Sequence, residues 1–170
     1  MSELKKITAI VKNYEFHDSQ ESGKLYKKVR LEDESGKIFY YKDLIMPRYL
    51  ERKGALNTDV PRTWFLKHVG KSAVVVVAFE KKDGTIEYDL DEVRTLARSG
   101  LLMGIIYGAL SIPCGIAAGI GTYGVGLILI PMGLHFAYKH IFKIPASLSR
   151  KRLLEDFSQH GIAVGEGWSR

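Results

Sequence analysis

Five histidines (His17, His68, His135, His140 and His160) and one cysteine, Cys114, are the residues from which a metal centre or a nucleophile would be built. None of the histidines stands at metal-ligand spacing from another with a cysteine or carboxylate close by. Cys114 falls inside a long apolar run, where the reactive thiolate is disfavoured. Gly70-Lys71-Ser72 matches the end of a phosphate-binding loop. That motif also needs a glycine where Phe65 stands and a helix after it, whereas a strand is expected to follow. Asp89, Asp91 and Glu92 form a carboxylate cluster, which capping and dipole complementarity at a helix start explain. No catalytic residue, metal site or cofactor is therefore expected.

The remaining candidate is a binding face. Strict alternation along residues 25–32 puts Leu25, Lys27, Val29 and Leu31 on one side, and Tyr26, Lys28, Arg30 and Glu32 on the other. Phe39 and Tyr41, or else Tyr40, would stand beside Tyr26, Lys28 and Arg30 on the next strand. Aromatic and basic side chains on one sheet can stack bases and hold phosphates. The competing reading puts these aromatics in a core with the lysines in solvent. Residues 1–98 carry 19 Lys/Arg against 16 Asp/Glu, a weak field for nucleic acid. A nucleic-acid partner is accordingly disfavoured.

The elements that would carry this face are mostly strands. Strands are expected over 5–16, 25–32, 37–42, 72–79 and 85–90, with turns at Asp33–Gly36 and Lys81–Gly84. Residues 43–56 read as a partly helical insert, and 61–69 as a short helix stopped by Gly70. SAVVVVAF at 72–79 is apolar on both faces and should be covered on both sides. Five strands with a helical insert after the third resemble an oligonucleotide/oligosaccharide-binding (OB) barrel, a resemblance of element order over residues 5–91. An SH3-like barrel or a small open sheet has the same ingredients.

From Ser99 to Tyr138 the chain has no Asp, Glu, Lys or Arg. About 20 apolar residues cross a bilayer, so this run suffices for two crossings. Helices at about 101–118 and 125–142 would flank a turn at GIGTYG. Arg94 and Arg98 precede the run, and Lys139, Lys143, Arg150, Lys151 and Arg152 follow it. The central turn is uncharged, so the positive-inside rule places both termini in the cytoplasm. Gly100, Gly104 and Gly108 recur every four residues, as do Gly115 and Gly119, a spacing that lets helix backbones approach closely. They would pack the two helices together or join protomers. Pro113 and Pro131 would kink the two helices at similar depth. The tail from Pro145 to Gly161 reads as a short basic amphipathic helix, capped by Ser147, lying on lipid or on the soluble domain; Trp168 is a candidate interface anchor.

The expected architecture is an α+β membrane protein: an OB-like β domain at 1–91, a transmembrane hairpin at 92–142 and a helical tail at 143–170. No signal peptide is evident at the start, and the lone cysteine excludes an internal disulfide. The expected function is a non-enzymatic adaptor in a bacterial inner membrane, contacting lipid and binding a protein partner or a second copy of itself. A channel-like, membrane-active oligomer and a membrane-tethered single-strand nucleic-acid binder are the alternatives.

Overall fold

The computed structural model describes residues 3–20, 23–69 and 73–164. Gly70-Lys71-Ser72 and Trp168 lie outside the described residues. The chain divides into two compact units. The first runs through Leu96 and resumes at Arg150; the second is Ala97–Ser149.

The first unit is built on a closed five-strand β-barrel. Its strands are β1 (Leu4–Gln20), β2 (Gly23–Glu32), β3 (Ile38–Pro47), β4 (Arg62–His68) and β5 (Ala73–Glu80). They are ordered β3-β2-β1-β4-β5, and a parallel pairing of Asp43–Ile45 with Ala73–Val75 closes the ring. A short strand β6 (Ile86–Tyr88) pairs with β5 outside the ring. Helix α1 (Arg48–Arg52) follows β3 and, with the turn after it, brings Leu50, Ala55 and Leu56 into the core.

One expectation is corrected here. The segment 61–69 holds strand β4 (Arg62–His68), not a helix. The segment pairs with β1 from Leu4↔Lys67 to Ala9↔Arg62, and with β5 on its other side. Thr63, Trp64 and Phe65 are β-formers, and the two neighbours supply every ladder bond a strand needs, which outweighs a local helix signal. The ring therefore has five strands, with Arg62–His68 as one of them and residues 86–88 as an appendage.

The two turn signals work as their chemistry requires. Asp33 accepts hydrogen bonds from the Ser35 and Lys37 amides at 2.9 Å each, and Gly36 takes a positive φ of 80°. Asp83 accepts from the Thr85 amide at 2.9 Å, beside Gly84 at the same φ.

The core is filled by Trp64, Phe79, Leu31, Leu44, Met46 and Val76 among others, each fully buried. Each such side chain contributes about 1.5–3 kcal/mol relative to exposure. The valine run of β5 is buried on both faces, Val74 and Val76 in the barrel core and Val75 and Val77 on the outside. Helix α5 (Arg150–Gln159) packs on the outer side of the barrel. Phe157 makes an edge-to-face contact with Tyr88, and His160 makes one with Phe65. Lys67 of β4 is buried and ion-paired with Asp156 of α5. The helix stops at Gly161, whose φ is 69°. The Ile162 amide donates to Phe157 O and the Gly161 amide to Ser158 O, satisfying the last carbonyls. Ser147 does not cap this helix. Its hydroxyl donates to Ile144 O at 2.8 Å, at the end of α4 (Ile144–Ser147).

Helix α2 (Leu90–Gly121) starts in the first unit and runs into the second. Asp89 is its cap, accepting from the Asp91 and Glu92 amides at 3.0 and 2.9 Å. After a turn at Thr122–Gly124 the chain returns through a 3-10 turn (Val125–Ile128), α3 (Leu129–Tyr138), a π-helical turn (Lys139–Lys143) and α4. Two helical stretches, Leu90–Gly121 and Val125–Ser147, are long and apolar enough to cross a membrane.

Candidate functional site

The anticipated binding face is divided by the barrel's curvature. Lys28 has a positive φ of 54°, and the β1–β2 register shifts around it. Such a bulge bends the strand and reverses which side chains point inward. Inward positions therefore run Tyr26, Val29, Leu31 rather than every second residue. On β3 the same offset appears between Tyr41 and Leu44, the residues opposite Val29 and Tyr26. Tyr26 and Tyr41 are core residues, and Phe39 packs half-buried against that core. Lys28 and Arg30 are exposed on the outside. The five residues do not share one face.

A different row takes their place outside. Arg30 stands opposite Tyr40 on β3 and opposite Asn13 on β1, and Tyr40 is exposed, as is Ile38. Among the described residues, β3 pairs with β2 along one side and with β5 at Asp43–Ile45 on the other. Nearby cations are matched by carboxylates: Lys28 with Glu15 and Lys12 with Glu32, each at 3.0 Å. The missed signal was the bulge, for which a lysine offers no composition cue.

Three carboxylates organise the end of the barrel at α1. Glu51 accepts from the Tyr26 hydroxyl at 2.5 Å and from Lys24 Nζ at 2.9 Å. Burial alone would raise the Glu51 pKa, but these two hydrogen bonds hold its carboxyl below the usual range. Burial first, and then the bond to Glu51, pushes the Tyr26 phenol up. Glu87 accepts from Lys81 Nζ at 2.6 Å and from the Tyr49 hydroxyl at 2.7 Å, bonds that lower its pKa. The Glu92 carboxylate of α2 accepts from the Tyr49 amide at 2.8 Å and so satisfies a free amide at the start of α1. Lys24, Arg48, Glu51 and Arg52 line an open recess beside these groups.

In the second unit, the glycines lie where the helices meet. A Cβ on Gly104 would stand 2.8 Å from His140 Cβ, and one on Gly108 would stand 2.9 Å from Ala137 Cβ. Gly115 faces Ile130, Gly119 faces Leu127, and Gly133 faces Ser111. The pairing is antiparallel, and its register puts Pro113 level with Pro131, between the Ser111–Gly133 and Gly115–Ile130 approaches. Gly100 is looser, with Ile144 and His140 at 3.9 and 4.0 Å from its built Cβ. Pro113 lies inside the continuous helix α2, and Pro131 lies near the start of α3.

The outward side chains are large and apolar, among them Leu102, Ile106, Leu110, Ile116 and Leu134, all exposed. Cys114 is exposed among them. Of the flanking cations, Arg94, Arg98 and Lys143 are exposed and Lys139 is half-buried. Arg150, Lys151 and Arg152 belong to α5, where Arg152 reaches Glu155 at 3.6 Å. Among the described residues, no three or more His, Cys, Asp or Glu side chains are grouped to hold a metal ion. His68 lies against the Tyr41 ring, and Phe136 stacks on His140. Comparison of the chain with protein-family models, with curated proteins and with solved structures finds no match.

Proposed function

We propose that this chain is a membrane-anchored interaction protein. A glycine-packed transmembrane hairpin fixes an OB-like barrel to the cytoplasmic side of a bacterial inner membrane, where the barrel engages a protein partner. The observation that carries the anchor is the bareness of the apolar helices. In the most apolar stretch of each, only 11% and 6% of the residues are buried. A core helix of a soluble protein would be covered, whereas exposed apolar surface on this scale calls for lipid or a partner. The OB-like assignment rests on the strand order β3-β2-β1-β4-β5 closed by β3–β5, with α1 between β3 and β4.

Partner binding is supported by the exposed Ile38 and Tyr40 of β3, with Arg30 beside Tyr40 on the neighbouring strand. Exposed aromatic and apolar side chains beside a guanidinium are the residue types enriched where proteins meet. The paired cations around this row weigh against nucleic acid. The glycines weigh against a pore lined by them, because they face the chain's own second helix.

The test has two parts. Alkaline carbonate should leave the full chain in the membrane pellet; release into the soluble fraction refutes the anchor. A partner co-purified with the detergent-solubilised chain should be lost on Tyr40→Glu or Ile38→Lys. Retention at full yield refutes this row of β3 side chains as its site.

A further inference from the structure

The open recess beside α1 has an occupant suggested by its chemistry and its place in the fold. It measures about 460 Å³ and is lined by Lys24, Arg48, Glu51 and Arg52. Among the described residues, three cations meet one carboxylate there, and one oxygen of that carboxylate already accepts from Lys24 and Tyr26. Arg48 Nη2 donates to Ser19 Oγ at 3.3 Å, and its Nε is buried with no hydrogen-bond partner among the described residues. Guanidinium groups in excess over carboxylates suit a phosphate, which they can grip in a bidentate manner.

The recess also lies where α2 leaves the barrel. A Cβ on Gly23, next to Lys24, would stand 3.2 Å from the Leu96 side chain. Gly23 pairs with Pro47, which precedes Arg48. One helical turn before Leu96, Glu92 holds the Tyr49 amide. Leu96 belongs to α2, the helix that carries the first part of the apolar run. Beside the recess, Phe16 is 58% exposed. Lys24 Nζ lies 5.8 Å from that ring, so the aromatic and basic groups form one patch. An exposed aromatic next to cations is the pattern of a group that sits at a lipid headgroup layer. A free phosphate would make no use of the phenyl ring.

We propose that Lys24, Arg48 and Arg52 bind the phosphate of an anionic phospholipid headgroup, with Phe16 resting in the interfacial layer. The site rests on the membrane-anchor reading above and adds a headgroup contact to it.

Native mass spectrometry of the full chain in mild detergent, with equal phosphatidylglycerol and phosphatidylcholine, tests the site. Removing the attraction of two cations is expected to lower the phosphatidylglycerol preference about tenfold or more. Arg48→Gln/Arg52→Gln should therefore bring the two lipids to parity, and Arg94→Gln/Arg98→Gln should leave most of the preference in place. Arg52→Gln alone, with folding checked by Trp64 fluorescence, serves if the double variant does not fold; it should lose part of the preference. Parity in the unmodified chain overturns the proposal, as does an equal loss in the Arg94/Arg98 variant. Displacement of the lipid by millimolar inorganic phosphate also overturns it, in favour of a free phosphate. A chain that stays in the carbonate pellet yet shows parity refutes the recess alone, whereas a chain released by carbonate refutes the anchor beneath it.

Discussion

Replacing Asp156 with alanine removes the carboxylate that pairs with a cation sealed under α5. Lys67 is 1% exposed and Asp156 8% exposed, and the two are ion-paired across a separation of 89 residues. Breaking a buried pair from one side costs about 3–5 kcal/mol, because the surviving charge remains out of water. That is a large share of a domain stability of about 5–15 kcal/mol. The two single changes should differ. Asp156→Ala strands the deeper charge, whereas Lys67→Met leaves a carboxylate at the rim that water can reach. The first should therefore be the more costly. Lys67→Met/Asp156→Leu removes both charges and keeps apolar volume. It should lie within about 1 kcal/mol of the parent, since well-packed apolar replacements of buried pairs are often neutral. Urea unfolding of the full chain in detergent, followed by Trp64 fluorescence in a Trp168→Phe background, measures all three. A cost below about 1 kcal/mol for Asp156→Ala would refute the reasoning. So would a double variant as unstable as that single one, because the loss would then come from α5 packing and not from charge.

Gly108→Cys/Ala137→Cys, with Cys114 replaced by serine, should oxidise to a disulfide within one chain, because the built Cβ atoms approach within 2.9 Å. Crosslinked dimers on a non-reducing gel would instead mean that this face joins protomers. Cys114 in the unmodified chain should react with a membrane-permeant maleimide and resist a water-soluble one, and a cysteine at fully exposed Tyr123 should be labelled only from outside the cell; labelling from the cytoplasm would reverse the proposed topology. The Glu51 and Glu87 carboxyls are both held below their usual pKa in the fold. Their contribution is complete above the unfolded value of about 4.3 and is lost as pH falls through the lower folded values. Melting temperatures from pH 6 downward should fall more steeply for the parent than for Glu51→Gln/Glu87→Gln, and parallel curves would contradict the assignment.

The candidate surfaces were only partly legible in the residues. The Asp33–Gly36 and Lys81–Gly84 turns could be read because their chemistry is local. Asp and Gly supply the side-chain acceptor and the positive φ within four residues. The coverage of the valine run on both sides was also visible, since apolar residues at successive positions leave no face for water. Residues 61–69 were read as a helix because a short apolar stretch after a proline satisfies either period. Only pairing with Leu4–Ala9 and with β5 decides it. The Tyr26–Tyr41 face failed for a related reason. Alternation assumes a straight strand, while closing a small barrel bends β2 and β3 at Lys28 and Lys42 and turns both tyrosines inward.

By itself, the sequence determined those properties that depend on neighbours along the chain. These are the charge-free run of two-crossing length, the glycines every four residues within it, the turns and an acidic helix start among Asp89, Asp91 and Glu92. Each follows from hydropathy or backbone preference acting within a few residues. The tertiary structure decided what depends on partners far along the chain. It closed the ring through β3 and β5, set Asp156 against Lys67, turned the glycines toward the second helix and gathered Lys24, Arg48 and Arg52 around one recess. Burial and charge pairing are properties of the space around a side chain, and that space is filled by residues whose distance in sequence carries no local trace.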